Sequence, residues 1–314
     1  MLALLHDDID TNHLSVAHKF HQALSRRGLS IKTRLSLNGH PHLYFKLPGR
    51  QISHIERHCF WELSDRDRIP EAAQTSRWFW HQGLRRDHYE AFCDRTILIP
   101  WPDFFAIRNI QASARAYRLY RLAIGLPWEQ KAHQVYFVGQ NSGIQHRSRL
   151  RACELLAEAD HIPAVAGLRP GPTPDHVVPP EFYSEAQLPY EVGRYRYLLS
   201  IWGNHPFNPR LLRGLEAGAL VFHQEISDIV DLHSDLFIPY EHYVPIRPDL
   251  SDLIEHLDYY MTHEKEARAI AQSGQAHWRQ HFQISEPYQI PDIIWERFIQ
   301  QPNFEQFRAE FDTH

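Results

Sequence analysis

Hydrophobic positions along this chain follow two recurring patterns: short apolar bursts, and longer stretches with apolar residues three and four apart. The first pattern reads as strands and the second as amphipathic helices, so their alternation predicts an α/β protein. "LALLHDD" opens as a strand. A helix follows from Thr11, with Leu14, Ala17, Phe20 and Leu24 on its apolar face and Gly28 closing it. Residues 29–37 alternate as a strand. "HCFWEL" (58–63) and "RTILIP" (95–100) read as further strands, and the segment between them, "EAAQTSRWFWHQGLRRDHYEAFC", reads as helical. Another helix is expected around 108–123.

The polar stretch "LPWEQKAHQ" then breaks the pattern, and a fresh strand runs from Gln134 to Val138. This places an expected domain boundary near 128–133. Beyond it the rhythm resumes with the helix "RSRLRACELLAEAD", the strand "YRYLLSIW", a helix over 209–217, and the strands "ALVF" and "HYVPI". A capped helix is expected from Asp249, with Leu250, Leu253, Ile254 and Leu257 on one face. The end of the chain, "IPDIIWERFIQQPNFEQFRAEF", is aromatic-rich and helical. The expected organisation is an N-terminal Rossmann-like domain over 1–130, a second α/β domain over 131–285, and a helical segment over 286–314 packing back on the first domain.

Composition narrows the class. With 43% hydrophobic and 23% charged residues in 314, the chain reads as globular. A net charge of −5 with scattered basic residues gives no nucleic-acid footprint. The apolar start is cut off by three aspartates within ten residues, too short for a signal peptide or span, and no later apolar run reaches membrane-spanning length. Three dispersed cysteines, Cys59, Cys93 and Cys153, suit a reducing compartment, so a cytoplasmic protein is expected, working at the inner face of the membrane. Trp78, Phe79 and Trp80 with nearby arginines offer a peripheral membrane contact, or else packed core. The 23 histidines show no metal-ligand spacing.

Common phosphate and hydrolase signatures are missing: no G-x-G-x-x-G, no P-loop, no G-x-S-x-G. Two other features suit a nucleoside diphosphate. "FVGQNSGIQHRSR" is a glycine-bearing loop between strand and helix, with Gly139, Ser142, Arg147 and Arg149 placed to meet phosphate. "WGNHPFNPRLLRGLEAGALVFHQE" has Gly203 after a strand and Arg210 at a helix start, where the dipole is already positive and an anion would be held by both. The plainer alternative for Arg210 is a pair with Glu216. Asp65-Arg66-Asp67 also forms an Asp-x-Asp triplet of the kind that holds a divalent metal, an alternative that ranks lower because the phosphate signature lies in a later domain.

These residues carry a resemblance. Tyr-x-Tyr-Leu, Gly203, Arg210, Gly-x-Leu-Val-x-His, His-Tyr-x-Pro and Asp-Leu-Ser-Asp-Leu resemble the C-terminal part of glycosyltransferase family 90, over about residues 134–275. The family includes capsule-associated xylosyltransferases and protein O-glucosyltransferases. "YFVGQNSG" is similar to its Phe-Arg-Gly-Ser loop, with Val138 in place of the arginine. A weaker likeness to group 1 glycosyltransferases points to the same GT-B fold, two Rossmann-like domains facing a central cleft. The resemblance implies inverting transfer of a sugar from a UDP-glucose or UDP-xylose type donor to a glycan, a surface polysaccharide or lipopolysaccharide, free or lipid-linked, with no cofactor and no metal. It implies that Arg210 holds the donor diphosphate, with Gly139, Ser142, Arg147, Arg149 and Gly203 around it, and His223 and Glu225 at the nucleoside or sugar. It places the general base at Asp67, in an Arg-Asp context before Pro70, with Asp65 and Asp103 as the alternatives. A binding protein of the same fold without turnover, or a retaining group 1-type enzyme, remains open at this stage.

Overall fold

The computed structural model describes residues 22–29, 59–62, 69, 78–81, 83–100, 122–141, 146–171, 176–185, 191–203, 209–225, 228–283 and 289–311. The chain forms two compact units, one of Met1–Ile107, Asp228–Ser234 and Ile284–His314, the other of Arg108–Ser227 and Asp235–Gln283.

In the first unit, strands β1 (Cys59–Glu62), β2 (Trp78–His81) and β4 (Thr96–Leu98) form a parallel sheet with β2 in the middle. A short β3 (Gly83–Arg85) pairs antiparallel with β9 (Ile229–Asp231). The helix expected across 71–93 is therefore corrected: among the described residues there, α1 (Arg86–Phe92) is the α-helix, and Trp78–His81 is a strand. Trp78, Phe79 and His81 are fully buried between two neighbouring strands, and aromatic residues favour that pleated, two-sided burial over a helix. Trp78 and Phe79 are thus core. The strands expected at 1–7 and 29–37 and most of the helices from Thr11 and around 108–123 lie outside the described residues. Residues 22–26 are helical, and Gly28 ends that helix with φ of +76°.

The aromatic C-terminal stretch is two helices, α6 (Asp292–Ile299) and α7 (Phe304–Phe311), broken where Pro302 removes a donor. The break is used. Gln301 both accepts from Leu98 N at 2.7 Å and donates to Leu98 O at 2.9 Å, so one amide closes the open edge of β4. Phe307 meets Trp78 edge-on at 6.1 Å, tying α7 to the sheet.

The second unit is a five-stranded parallel sheet in the order β10-β8-β7-β5-β6, made of β5 (Ala132–Asn141), β6 (Ala164–Pro170), β7 (Tyr195–Ser200), β8 (Leu220–Gln224) and β10 (Val244–Ile246). Helix α2 (His146–Glu158) packs Ala152, Cys153 and Leu156 on one face, against Phe137, Tyr197 and Phe222. On the other face sits α3 (Pro209–Ala217). Its Gly214 lies so close to the sheet that a Cβ would meet Val221 Cγ2 at 2.4 Å. Helices on both faces make the unit doubly wound, and the direction of winding reverses between β5 and β7.

Helix α4 (Leu253–Thr262) starts later than the expected Asp249. Asp249 instead accepts from Ser251 N at 3.1 Å and Asp252 from Arg247 N at 2.9 Å, folding a turn in which buried Leu250 takes φ of +62°. Among the described residues no helix is long and apolar enough to cross a membrane.

Helix α5 (Glu264–His281) carries an imidazole stack: His242 lies 4.0 Å from His277, and His277 lies 4.8 Å from His281. Burial, then the neighbouring His242 and His281 charges, push His277 down to about 4, against a raising contact with the Leu236 carbonyl. Burial also lowers His242, with Glu241 opposing. An unfolded histidine titrates near 6.5, so the unfolded chain takes up protons first as the medium is acidified. This share of stability is complete above about pH 6.5 and is lost as pH falls toward 4. We expect His277→Gln to reduce the drop in melting temperature between pH 7 and pH 5. A drop as large as that of the unsubstituted protein would show the stack has no part in it.

Candidate functional site

Ligands of doubly wound sheets bind beyond the carboxyl ends of the strands, where the winding reverses. Here that place is the gap between β5 and β7, and four of the residues singled out in the sequence meet there. Arg149, from the first turn of α2, donates from Nε to Trp202 O at 2.8 Å and from Nη1 to Gln140 O at 2.7 Å. It therefore braces the residues that follow β7 to the end of β5. Gly203 exists as a slot for it, because a Cβ there would stand 2.6 Å from Arg149 Nη2.

Arg210 repeats the arrangement at the start of α3. Its Nη2 donates to Val138 O at 3.3 Å, its guanidinium lies 5.3 Å over the Phe137 ring, and a Cβ at Gly139 would fall 1.9 Å from Nη2. Each glycine is paired with one arginine. The two glycines do open the backbone, but to guanidinium groups.

Burial, and after it the charges of Arg149 and Arg213, push Arg210 down to about 9, which still leaves it a cation at neutral pH. The Val138 carbonyl and the Phe137 ring face help to orient that charge toward the end of the sheet. Pro209 fits the first turn of α3, and the amides after it have no intrahelical acceptor.

The strand next to α3 in sequence, β8, ends on polar side chains. His223 is fully buried, with Nδ1 2.8 Å from Ser200 Oγ and the Tyr243 ring 5.5 Å away edge-on. Burial pushes it down to about 3, so it is a neutral imidazole. Its Nε2 is buried and finds no hydrogen-bond partner among the described residues, and the same holds for Asn141 Oδ1 and Arg213 Nε. All three lie toward the carboxyl end of the sheet or in the α3 that covers it. Buried polar atoms are normally satisfied, and three of those with no partner among the described residues fall at this end of the sheet, with others elsewhere in the chain.

Gln224 accepts from Trp202 N at 2.9 Å and donates to Pro248 O at 2.6 Å, holding the ends of β7 and β10 together. Glu225 is exposed and Arg147 is exposed on α2. Ser142, Asp65, Asp67 and Asp103 lie outside the described residues. The sequence reading missed Arg213, Asn141 and the Trp202–Gln224 clamp. Three-residue spacing from Arg210 was the available signal for Arg213. Among the described residues no three His, Cys, Asp or Glu side chains converge as metal ligands.

Against known proteins, the sequence model of glycosyl transferase family 90 matches residues 92–290. Protein O-glucosyltransferase 2 of Danio rerio is 32% identical over 94 residues, covering 29% of this chain and 18% of that protein. Uncharacterized protein 027R of Frog virus 3 (isolate Goorha) is 33% identical over 97 residues, 29% of this chain and 10% of the viral protein. The chain thus spans between a tenth and a fifth of these curated relatives' length. Among solved structures, an α1,3-fucosyltransferase with GDP-fucose superposes with a TM-score of 0.54 at 9% identity, covering 100% of this chain and 91% of that one. Anabaena Alr3699/HepE in complex with UDP and glucose gives 0.53 at 12% identity, with 99% of each chain covered. These are GT-B glycosyltransferases, and the α/β fold of this protein is of the GT-B class. Matched over more than half of its 314 residues, the chain belongs to glycosyltransferase family 90.

Proposed function

We propose that this protein transfers a sugar from a nucleoside-diphosphate donor, of the UDP-glucose or UDP-xylose type, to a glycan acceptor by inverting displacement without a required metal. One observation carries the reading. A cationic Arg210 is held over Gly139 at the reversal point of the sheet, at the start of α3. A departing nucleoside diphosphate gains negative charge in the transition state, and a pre-placed guanidinium with backbone donors stabilises that charge. The second unit is the donor-binding one on this reading. Arg149 and Gly203 shape the pocket, while Ser142, Arg147, His223 and Glu225 border the donor. The printed ligands of the two solved neighbours, GDP-fucose in one and UDP with glucose in the other, support a nucleotide-sugar donor. A surface polysaccharide or lipopolysaccharide as acceptor, cytoplasmic work at a membrane face and independence of cofactors belong to the same proposal.

The acceptor hydroxyl needs a base, and Asp67 is the first choice, with Asp65 and Asp103 behind it. The test is UDP release from UDP-glucose and UDP-xylose, with and without chelator, by the unsubstituted protein and by Asp67→Ala, Asp65→Ala and Asp103→Ala. One carboxylate variant is expected to lose about 10²-fold or more. Val138 at the family's arginine position keeps the binding-only reading alive. Donor binding with no turnover would establish it, and no binding of any nucleotide sugar would sink both readings.

A further inference from the structure

We propose that Arg213 is a second diphosphate ligand of the donor site, so that Arg210 and Arg213 each hold one of the donor's two phosphates. This rests on the donor reading above and adds a residue the sequence pattern did not single out. Arg213 follows Arg210 by three positions on α3, the spacing that sets two side chains next to each other on a helix. Gly214, the next residue, is pressed against Val221 and Leu198, which fixes the face of α3 that meets the sheet.

Three guanidinium groups, from Arg149, Arg210 and Arg213, lie close enough for Arg210 to feel the charges of both others. Their work differs. Arg149 gives its Nε and one Nη1 donor to the Trp202 and Gln140 carbonyls, where it joins two strand ends. Arg213 Nε, by contrast, is buried and has no hydrogen-bond partner among the described residues. Packing like charges together is unfavourable unless an anion joins them. A nucleoside monophosphate presents its charge on one phosphorus, whereas the diphosphate of a nucleotide sugar presents a charge on each of two. Two forked donors side by side match that pair of anions better than a single phosphate. His223, on the strand that follows α3, is fully buried, and its Nε2 has no hydrogen-bond partner among the described residues, a second such polar group at this end of the sheet.

The experiment is calorimetric titration of the full chain with UDP and with UMP, for the unsubstituted protein, Arg210→Gln, Arg213→Gln and Arg213→Lys. Arg213→Gln is expected to weaken UDP about tenfold while changing UMP about twofold or less, so that preference for the diphosphate collapses. Arg213→Lys, which keeps the charge and loses the fork, is expected to fall between. An unchanged UDP-to-UMP ratio in Arg213→Gln, with Arg210→Gln impaired, overturns the role of Arg213 and leaves the donor reading standing. UDP affinity unchanged in both glutamine variants overturns the donor reading itself. Should Arg213→Gln melt early, Arg213→Lys decides: weaker UDP with intact UMP supports the assignment, and equal affinities refute it.

Discussion

Replacing Arg210 with Gln is expected to lower kcat/KM for UDP-sugar turnover about 10³-fold, at the low end of what a transition-state arginine supplies in phosphate chemistry. The guanidinium is oriented by the Val138 carbonyl and the Phe137 ring, and neither removes its charge. It is therefore already in place when the diphosphate begins to leave, and no reorganisation is needed at that moment. Arg210→Lys is expected to recover little, because a single ammonium cannot reproduce the fork. Gly139→Ala supplies the structural counterpart. Its Cβ would stand 1.9 Å from Arg210 Nη2, so the arginine has to move although its own identity is kept. The two variants should therefore fail alike, with circular dichroism and melting unchanged for Arg210→Gln. If Arg210→Gln keeps kcat/KM within about threefold of the unsubstituted protein, the guanidinium is not meeting developing charge.

Arg149→Met is expected to act on stability, costing about 2–5 kcal/mol in urea denaturation. Arg149 is 8% exposed and its Nε and Nη1 serve the carbonyls of Trp202 and Gln140. Removing it strands two partly buried acceptors, and a fully buried one costs about 1–3 kcal/mol when left unmade, which bounds the loss from above. The loss falls on the joint between β5 and β7, so the whole carboxyl end of the sheet loosens. Arg149→Lys restores a charge but reaches one carbonyl at a time, and so should recover only part. Gly203→Ala is expected to act in the same direction and more weakly, since its Cβ would lie 2.6 Å from Arg149 Nη2, the far end of the side chain. A variant with full stability and lost turnover would instead make Arg149 a substrate ligand of the same kind as Arg210. The contrast separates two arginines that a sequence motif treats as equals.

How much was legible in advance depended on whether the information was local. Helix α3 was read at its observed limits, 209–217, because Pro209, the leucine spacing and Gly218 all speak within one short stretch. Gly218 does take φ of +65° there. Strands β5, β7, β8 and β10 were each placed to within a few residues by their apolar bursts. The Trp78–His81 strand was missed because a dense aromatic run has no period of its own, and only neighbours on both sides decide between strand and helix. The start of α4 was missed because Asp249 and Asp252 could each serve as a cap. Their hydrogen bonds to Ser251 and Arg247 settle the matter in favour of a turn.

By itself, then, the sequence determined the α/β class and the strand–helix order of the second half, which are written in short-range periodicity and punctuation, and it carried the motifs by which the chain resembles its family. It also named Gly139, Gly203, Arg149 and Arg210. Only the tertiary structure decided that these form two glycine–arginine pairs, one bracing strands and one facing the reversal point. Arg149 meets a carbonyl 53 residues away and Arg210 one 72 residues away, and no local pattern records such a partner. A buried guanidinium needs hydrogen-bond acceptors, and here the strand-end carbonyls that supply them come together only after the strands have been laid side by side.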